Sequence, residues 1–411
     1  MVASMNLSTL VHVIFSTSCD QHHRQLLSAA LQVSATRVNH VGPITELTSG
    51  CTPEQIDTIR AEPKFYDDFH HHFTPAFSPH PYPDINDAYT AYNKPFSMQH
   101  FLCHAVPPVG LGENMVDADF VFLKPLRVNT GANMSAYYGG SLRDAATITD
   151  TVADGSALAQ DWSIYYGGGW FNADVKARKE AVCAGQPCIN VTQQEGKEYY
   201  SSVGPPYIMT RNDALKFVGD YCNFTVRARQ VVDDWMVEMY AYGLAAANHG
   251  IKHTPLSNLG PSMPRGQQQS WNFLPEEMEN PCSSGSLEVW IPDGAPVMIH
   301  YCQSFALAEN DQDGYHFFKY QLPLNILACD SMLLALPPPS QWTEIDAMGL
   351  EGWPLQSKRH EIWAECTLAK LMNQNLITIK EKLCPRGFNS HRGLPMNERV
   401  ARASAFAQIS S

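Results

Sequence analysis

An α/β fold with a parallel start is what this sequence predicts, and three observations carry it. Residues 11–17 (VHVIFST) form a short apolar run ending in small hydroxylated residues, the pattern of a buried strand. Residues 20–35 follow with Leu26, Leu27, Ala30 and Leu31 at helical spacing. Residues 44–48 (ITELT) read as a second strand, so the chain opens strand, helix, strand. Ligands of such sheets sit beyond the carboxyl ends of the strands, which makes Phe15, Ser16 and Thr17 candidates for contact with a nucleotide.

Composition narrows the class. The 411 residues are enough for one large or two ordinary domains, and 44% hydrophobic with 17% charged residues describes a globular chain. The net charge of −13 argues against a nucleic-acid partner, whose backbone needs clustered Lys and Arg. No apolar run approaches the ~20 residues of a membrane span. The first ten residues lack the basic start and long apolar centre of a signal peptide; the expectation is a piece of a longer protein or a cytosolic one. Eleven cysteines without a CxxC pair give zinc little support. Sequons at Asn6, Asn133, Asn190 and Asn223, together with the cysteines, lean towards a secretory lumen.

Function concentrates around Asp117-Ala118-Asp119, framed by Val116 and by Phe120, Val121, Phe122 and Leu123. Two carboxylates one residue apart in apolar surroundings need a counter-charge. A hard divalent cation carrying a diphosphate supplies one, since Mg2+ or Mn2+ takes carboxylate and phosphate oxygens together. The same two residues at a plain strand end would simply be solvated. Upstream, residues 62–87 carry His70, His71 and His72 without a clear period and read as a long ordered loop; three consecutive side chains do not converge on one ion. Asn93-Lys94-Pro95 opens a helix, and Lys94 at its start could reach a diphosphate held at the aspartates.

Downstream, residues 136–140 read as a strand, and residues 150–198 as an irregular insertion in which Cys183 and Cys188 could pair. Residues 204–210 are a Gly/Pro turn running into a strand, followed by a helix over 212–221 with Asn212 as cap. The next helix, 234–249, has Asp233 as cap and places Asp234 and Glu238 on one face. Those acids suit a general base or a clamp on an acceptor hydroxyl; first-turn acids are also favoured by the helix dipole alone. Residues 295–301 are an apolar strand ending in His300 and Tyr301, and His300 is a metal ligand if it meets the aspartates in space. After Pro337-Pro338-Pro339 comes a helix over 358–371, and residues beyond Cys384 read as a tail.

The chain resembles the plant and algal family of hydroxyproline O-arabinosyltransferases and peptidyl serine O-α-galactosyltransferases. The carrying stretches are HVIFSTSC (12–19), GPITEL (42–47), YNKP (92–95), VDADFVFLKPL (116–126), GPPYIMTRNDALKFV (204–218), WMVEMYAYGLAAANHGIKH (235–253), VMIHY (297–301) and AECTLAKLMN (364–373). The DAD resembles the serine galactosyltransferase branch more than the EPDH-like motif of the other. The resemblance implies a GT-A fold, a Rossmann-like single mixed sheet flanked by helices, occupying 11–335 with the insertion at 150–198, then a helical extension (336–384) and a tail (385–411). It implies a UDP-sugar donor, Mn2+ or Mg2+, and a hydroxyproline- or serine-containing protein acceptor in the Golgi or ER lumen. Asp117, Asp119 and His300 would hold the metal, Lys94 the diphosphate, and Phe15 and Thr17 the uridine. Glu238, and less securely Asp234, would meet the acceptor. A non-catalytic binding protein of the same fold and a metal-dependent sugar-nucleotide hydrolase are the rival readings.

Overall fold

The computed structural model describes residues 10–82, 85–105, 112–266, 268–306 and 315–396. Its centre is a mixed sheet of seven strands: β1 (Val11–Ser18), β2 (Ile44–Ser49), β3 (Phe69–Thr74), β4 (Gly112–Val116), β6 (Ser156–Asp161), β7 (Val203–Thr210) and β8 (Lys252–Leu256). A separate antiparallel pair joins β5 (Phe120–Phe122) to β9 (Met298–His300). The seven strands lie in the order β3-β2-β1-β4-β7-β6-β8. All pairings are parallel except those of β7, which runs against β4 on one side and β6 on the other. The α/β expectation and the mixed sheet are therefore what the chain adopts.

Strand β1 shows why the first apolar run folds this way. Side chains alternate across a sheet: Val11, Val13 and Phe15 enter the core on one face, and Ile14 enters the core on the other. A parallel strand covered on both faces needs a nearly continuous apolar run, which residues 11–15 supply apart from His12. His12 is buried too, with its imidazole bonded to Thr45 at 2.8 Å.

Helices Arg24–Arg37 and Gly352–Leu383 pack on the face of Val13 and Phe15; helices Asn93–His104, Arg211–Val231 and Val237–Asn248 cover the face of Ile14. The 32-residue helix Gly352–Leu383 extends well past the predicted 358–371. Its Trp363, Leu368 and Met372 share a core with β1. Disulfides Cys282–Cys366 and Cys329–Cys384 fasten it, and Cys19–Cys51 joins the segments leaving β1 and β2. The expected local pair Cys183–Cys188 is present.

Several local expectations are corrected. Residues 62–87 are not all loop, because Phe69–Thr74 adds an edge strand beside β2. Alternation along that strand sends His71 towards Glu46 and His72 towards His100, so the three histidines diverge. Residues 136–140 form no strand; a short 3-10 turn, Ser135–Tyr137, stands there, and Tyr138 makes an isolated bridge to Leu256. The stretch 150–198 is not merely irregular, since it donates β6 to the interior of the sheet. Residues 204–206 belong to β7 itself, and the following helix is capped by the Thr210 hydroxyl, which accepts from the Asp213 amide at 3.1 Å. The helix expected at 234–249 begins at Val237. Beyond Cys384, Arg392–Leu394 pairs with Leu333–Leu334, while the last residues, 397–411, lie outside the described ones, as does Asn6.

Candidate metal centre

Asp117 and Asp119 sit where β4 ends and β5 begins, on the carboxyl side of the parallel strands. The β5–β9 pair builds the other wall. Phe120 stands opposite His300 in register, and the Tyr301 amide donates to the Asp119 carbonyl at 3.0 Å. Strand β9 is fixed on its other side by the chain leaving β8, where the His300 amide donates to the Pro261 carbonyl at 3.1 Å. Gly260 permits that approach: a Cβ there would lie 2.5 Å from the Phe120 ring and 2.8 Å from Pro206. Phe120 in turn stacks on the His300 imidazole, with centroids 4.1 Å apart.

This packing brings together two carboxylates and an imidazole that are distant in sequence. His300 Nε2 lies 3.2 Å from Asp119 Oδ1 and 3.7 Å from Asp117 Oδ2, and one ligand atom from each residue fits within 4.8 Å of the others. The donor set suits Mn2+ or Mg2+ by its carboxylates, and the imidazole tilts it towards the transition metal. His300 and Asp119 are buried, whereas Asp117 keeps an exposed edge from which an ion and its other ligands could enter.

Two lysines balance the carboxylates. Lys94, in the first turn of the Asn93–His104 helix, places Nζ 2.8 Å from Asp117 Oδ1 and 3.5 Å from Glu238 Oε2. Lys319 places Nζ 2.5 Å from Asp119 Oδ2. Burial by itself would raise the Asp119 carboxyl, but Lys319 and His300 hold it well below the usual carboxylate range. Burial would also lower the His300 imidazole; Cys302 and Asp119 beside it raise it instead. Lys94 is likewise raised despite its burial, by Asp117 and Glu238.

Glu238 is 3% exposed. The Tyr221 hydroxyl donates to one of its oxygens and Lys94 to the other, while its amide donates to the Tyr89 hydroxyl at 3.0 Å. Burial raises its proton affinity even though Lys94 and Tyr221 act the other way. Asp234 lies outside this group and is occupied by the Met236 amide, at 2.8 Å. Phe15 pairs in register with Val116, so the end of β1 borders the site. The Phe15 side chain is nonetheless buried in the core against Phe69, and the Thr17 hydroxyl donates to Glu46 Oε1 at 2.8 Å. The sequence reading missed Lys319, Tyr221 and Tyr89. Tyr221 lies on a visibly apolar helix face, but nothing in the pattern of HFFKYQ marks Lys319 as the partner of an aspartate 200 positions earlier.

No family model and no curated protein matches the chain. Among solved structures, an active-site mutant of LgtC is similar over 71% of this chain and 87% of that chain, at 10% identity and a TM-score of 0.37. So loose a likeness assigns no chemistry. What this chain itself presents is a mixed α/β sheet with an Asp-Asp-His group that could hold a metal ion at the carboxyl end of its strands.

Proposed function

We propose that the protein is a metal-dependent glycosyltransferase of GT-A type, moving a sugar from a UDP-sugar to a hydroxyl of a protein acceptor. The observation that carries this reading is the convergence of Asp117, Asp119 and His300 with Lys94 and Lys319 where β4 gives way to β5. A divalent cation held there would neutralise the leaving diphosphate as a Lewis acid. Lys94 would share in offsetting the charge of that diphosphate, since its ammonium faces the same aspartate. Glu238 acts through Lys94: its carboxylate is enclosed by Tyr221 and Lys94 and holds the ammonium when Asp117 turns to a metal. Ser16 and Ser18, half-buried at the end of β1, are better disposed to a nucleoside than Phe15 and Thr17, whose side chains face Phe69 and Glu46.

The motif resemblance to the hydroxyproline arabinosyl- and serine galactosyltransferases favours a hydroxyproline or serine acceptor. Four disulfides suit an oxidising lumen such as the ER or Golgi. The test is a screen of UDP-sugars with Mn2+ against hydroxyproline- and serine-containing peptides. Sugar transfer to peptide from one donor is expected. Release of free sugar regardless of peptide would make the protein a hydrolase, and absence of UDP binding in calorimetry would leave a non-catalytic one.

A further inference from the structure

We propose that Lys319 closes the Asp117–Asp119–His300 group to a bare divalent cation and is drawn off by the diphosphate of the nucleotide, so that cation and diphosphate bind as a mutually dependent pair. This rests on the metal reading given above. Both oxygens of Asp119 already face a nitrogen: Oδ2 faces Lys319 Nζ at 2.5 Å and Oδ1 faces His300 Nε2 at 3.2 Å. Asp117 gives one oxygen to Lys94 and leaves the other towards His300. A dication arriving alone would have to share Asp119 with an ammonium in contact with it, which like-charge repulsion opposes.

The two lysines differ in what they can do next. Lys94 is shared between Asp117 and Glu238, so it keeps a carboxylate when Asp117 binds the ion. Lys319 has Asp119 as its one ion-pair partner among the described residues. It stands on the short turn Lys319–Gln321, at the end of a flexible four-carbon stem, with Nζ 4.7 Å from the centre of the exposed Tyr320 ring. That ring already faces the ammonium, and phosphate oxygens arriving with the ion offer it a new anionic partner. A diphosphate therefore removes the obstacle to the ion and gains an ammonium contact. Linkage requires the converse, that the ion tightens the diphosphate by the same factor.

The experiment measures Mn2+ binding to the full chain by electron paramagnetic resonance, with and without UDP, in the wild type, Lys319→Gln, Lys319→Arg and Asp119→Asn, with thermal melts verifying folding. In the wild type UDP should tighten Mn2+ by roughly tenfold or more. Lys319→Gln should bind Mn2+ alone more tightly than the wild type and lose most of the UDP effect, whereas Lys319→Arg should keep it. An unchanged affinity of Lys319→Gln for Mn2+ alone, or an undiminished UDP effect, overturns the gate while leaving the metal site standing. If folded wild type and Lys319→Gln take up no Mn2+ with or without UDP, or Asp119→Asn binds as the wild type does, the metal reading itself falls and the gate with it.

Discussion

Two buried carboxylates, one on β2 and one just past the end of β4, make an instructive pair. Glu46, on β2, is fully enclosed and receives the Thr17 hydroxyl, the Arg24 guanidinium at 3.1 Å, the Ser28 hydroxyl at 3.0 Å and His71 at 3.3 Å. Its partners all belong to β1, β3 and the helix Arg24–Arg37. Asp119, after β4, is as deeply buried but is met by a partly exposed lysine and an imidazole, beside an aspartate with an exposed edge. Burial of charge is thus common to both. What separates a structural site from a chemical one is whether the partners are permanent, because a buried charge without them costs several kcal/mol.

The largest effect should come from breaking the permanent arrangement. Glu46→Gln leaves Arg24 with Glu62 as its remaining carboxylate and strips His71 and Thr17 of theirs, so a loss of about 3 kcal/mol in stability is expected from denaturant midpoints. The pH dependence has a definite sign. Burial alone would raise the Glu46 carboxyl, but His71 and Arg24 bring it below its ordinary value. A group lowered in the folded state contributes stability above its unfolded pKa and loses it as pH falls through the folded one. The gap between wild type and variant should therefore be full at neutral pH and shrink once the pH drops below about 4.5. A gap that grew with acidity would reverse the assignment.

Asp119→Asn should do the opposite: little change in fold, large change in chemistry. It keeps the shape of the side chain, and the loss of an ion pair with Lys319 is softened because Lys319 is not fully enclosed. Metal-dependent turnover of the UDP-sugar should fall by at least about a hundredfold, a ligand being worth no less than the groups that orient it. Unchanged turnover with saturating Mn2+ would place Asp119 in the same class as Glu46.

Much of this contrast could be read from the chain before folding, and the exceptions share a cause. The β1–helix–β2 start, the DAD in its apolar frame and the strand ending at His300 are local patterns, so periodicity exposes them. Strand β3 was hidden because an edge strand tolerates polar residues, and FHHHFT carries its alternation in histidines. Strand β6 was hidden because SALAQD is short and stands among irregular segments. The position of Phe15 and Thr17 at the rim of the sheet follows from strand order, yet their side chains point to the core and to Glu46, which only the sheet's packing decides. Lys319 is the extreme case, since a charge pair formed by the crossing of two distant segments leaves no trace in either.

The finest test of the contrast is Tyr221→Phe. The Tyr221 hydroxyl donates to Glu238, and its proton is held firmly there because burial, then the adjacent Glu238, raises the phenol well above its ordinary value. Removing the oxygen leaves Glu238 with Lys94 as its remaining side-chain donor, so stability should drop by about 1.5–3 kcal/mol, the value of one hydrogen bond to a charged group. If Glu238 serves to place Lys94, the variant should weaken binding of UDP with Mn2+ a few-fold and change kcat less. If Glu238 instead takes a proton from the acceptor, its freed oxygen becomes a stronger base, and kcat rather than donor binding should move. The split between the two parameters therefore decides whether this carboxylate belongs with the permanent scaffold of Glu46 or with the exchanging groups around Asp119.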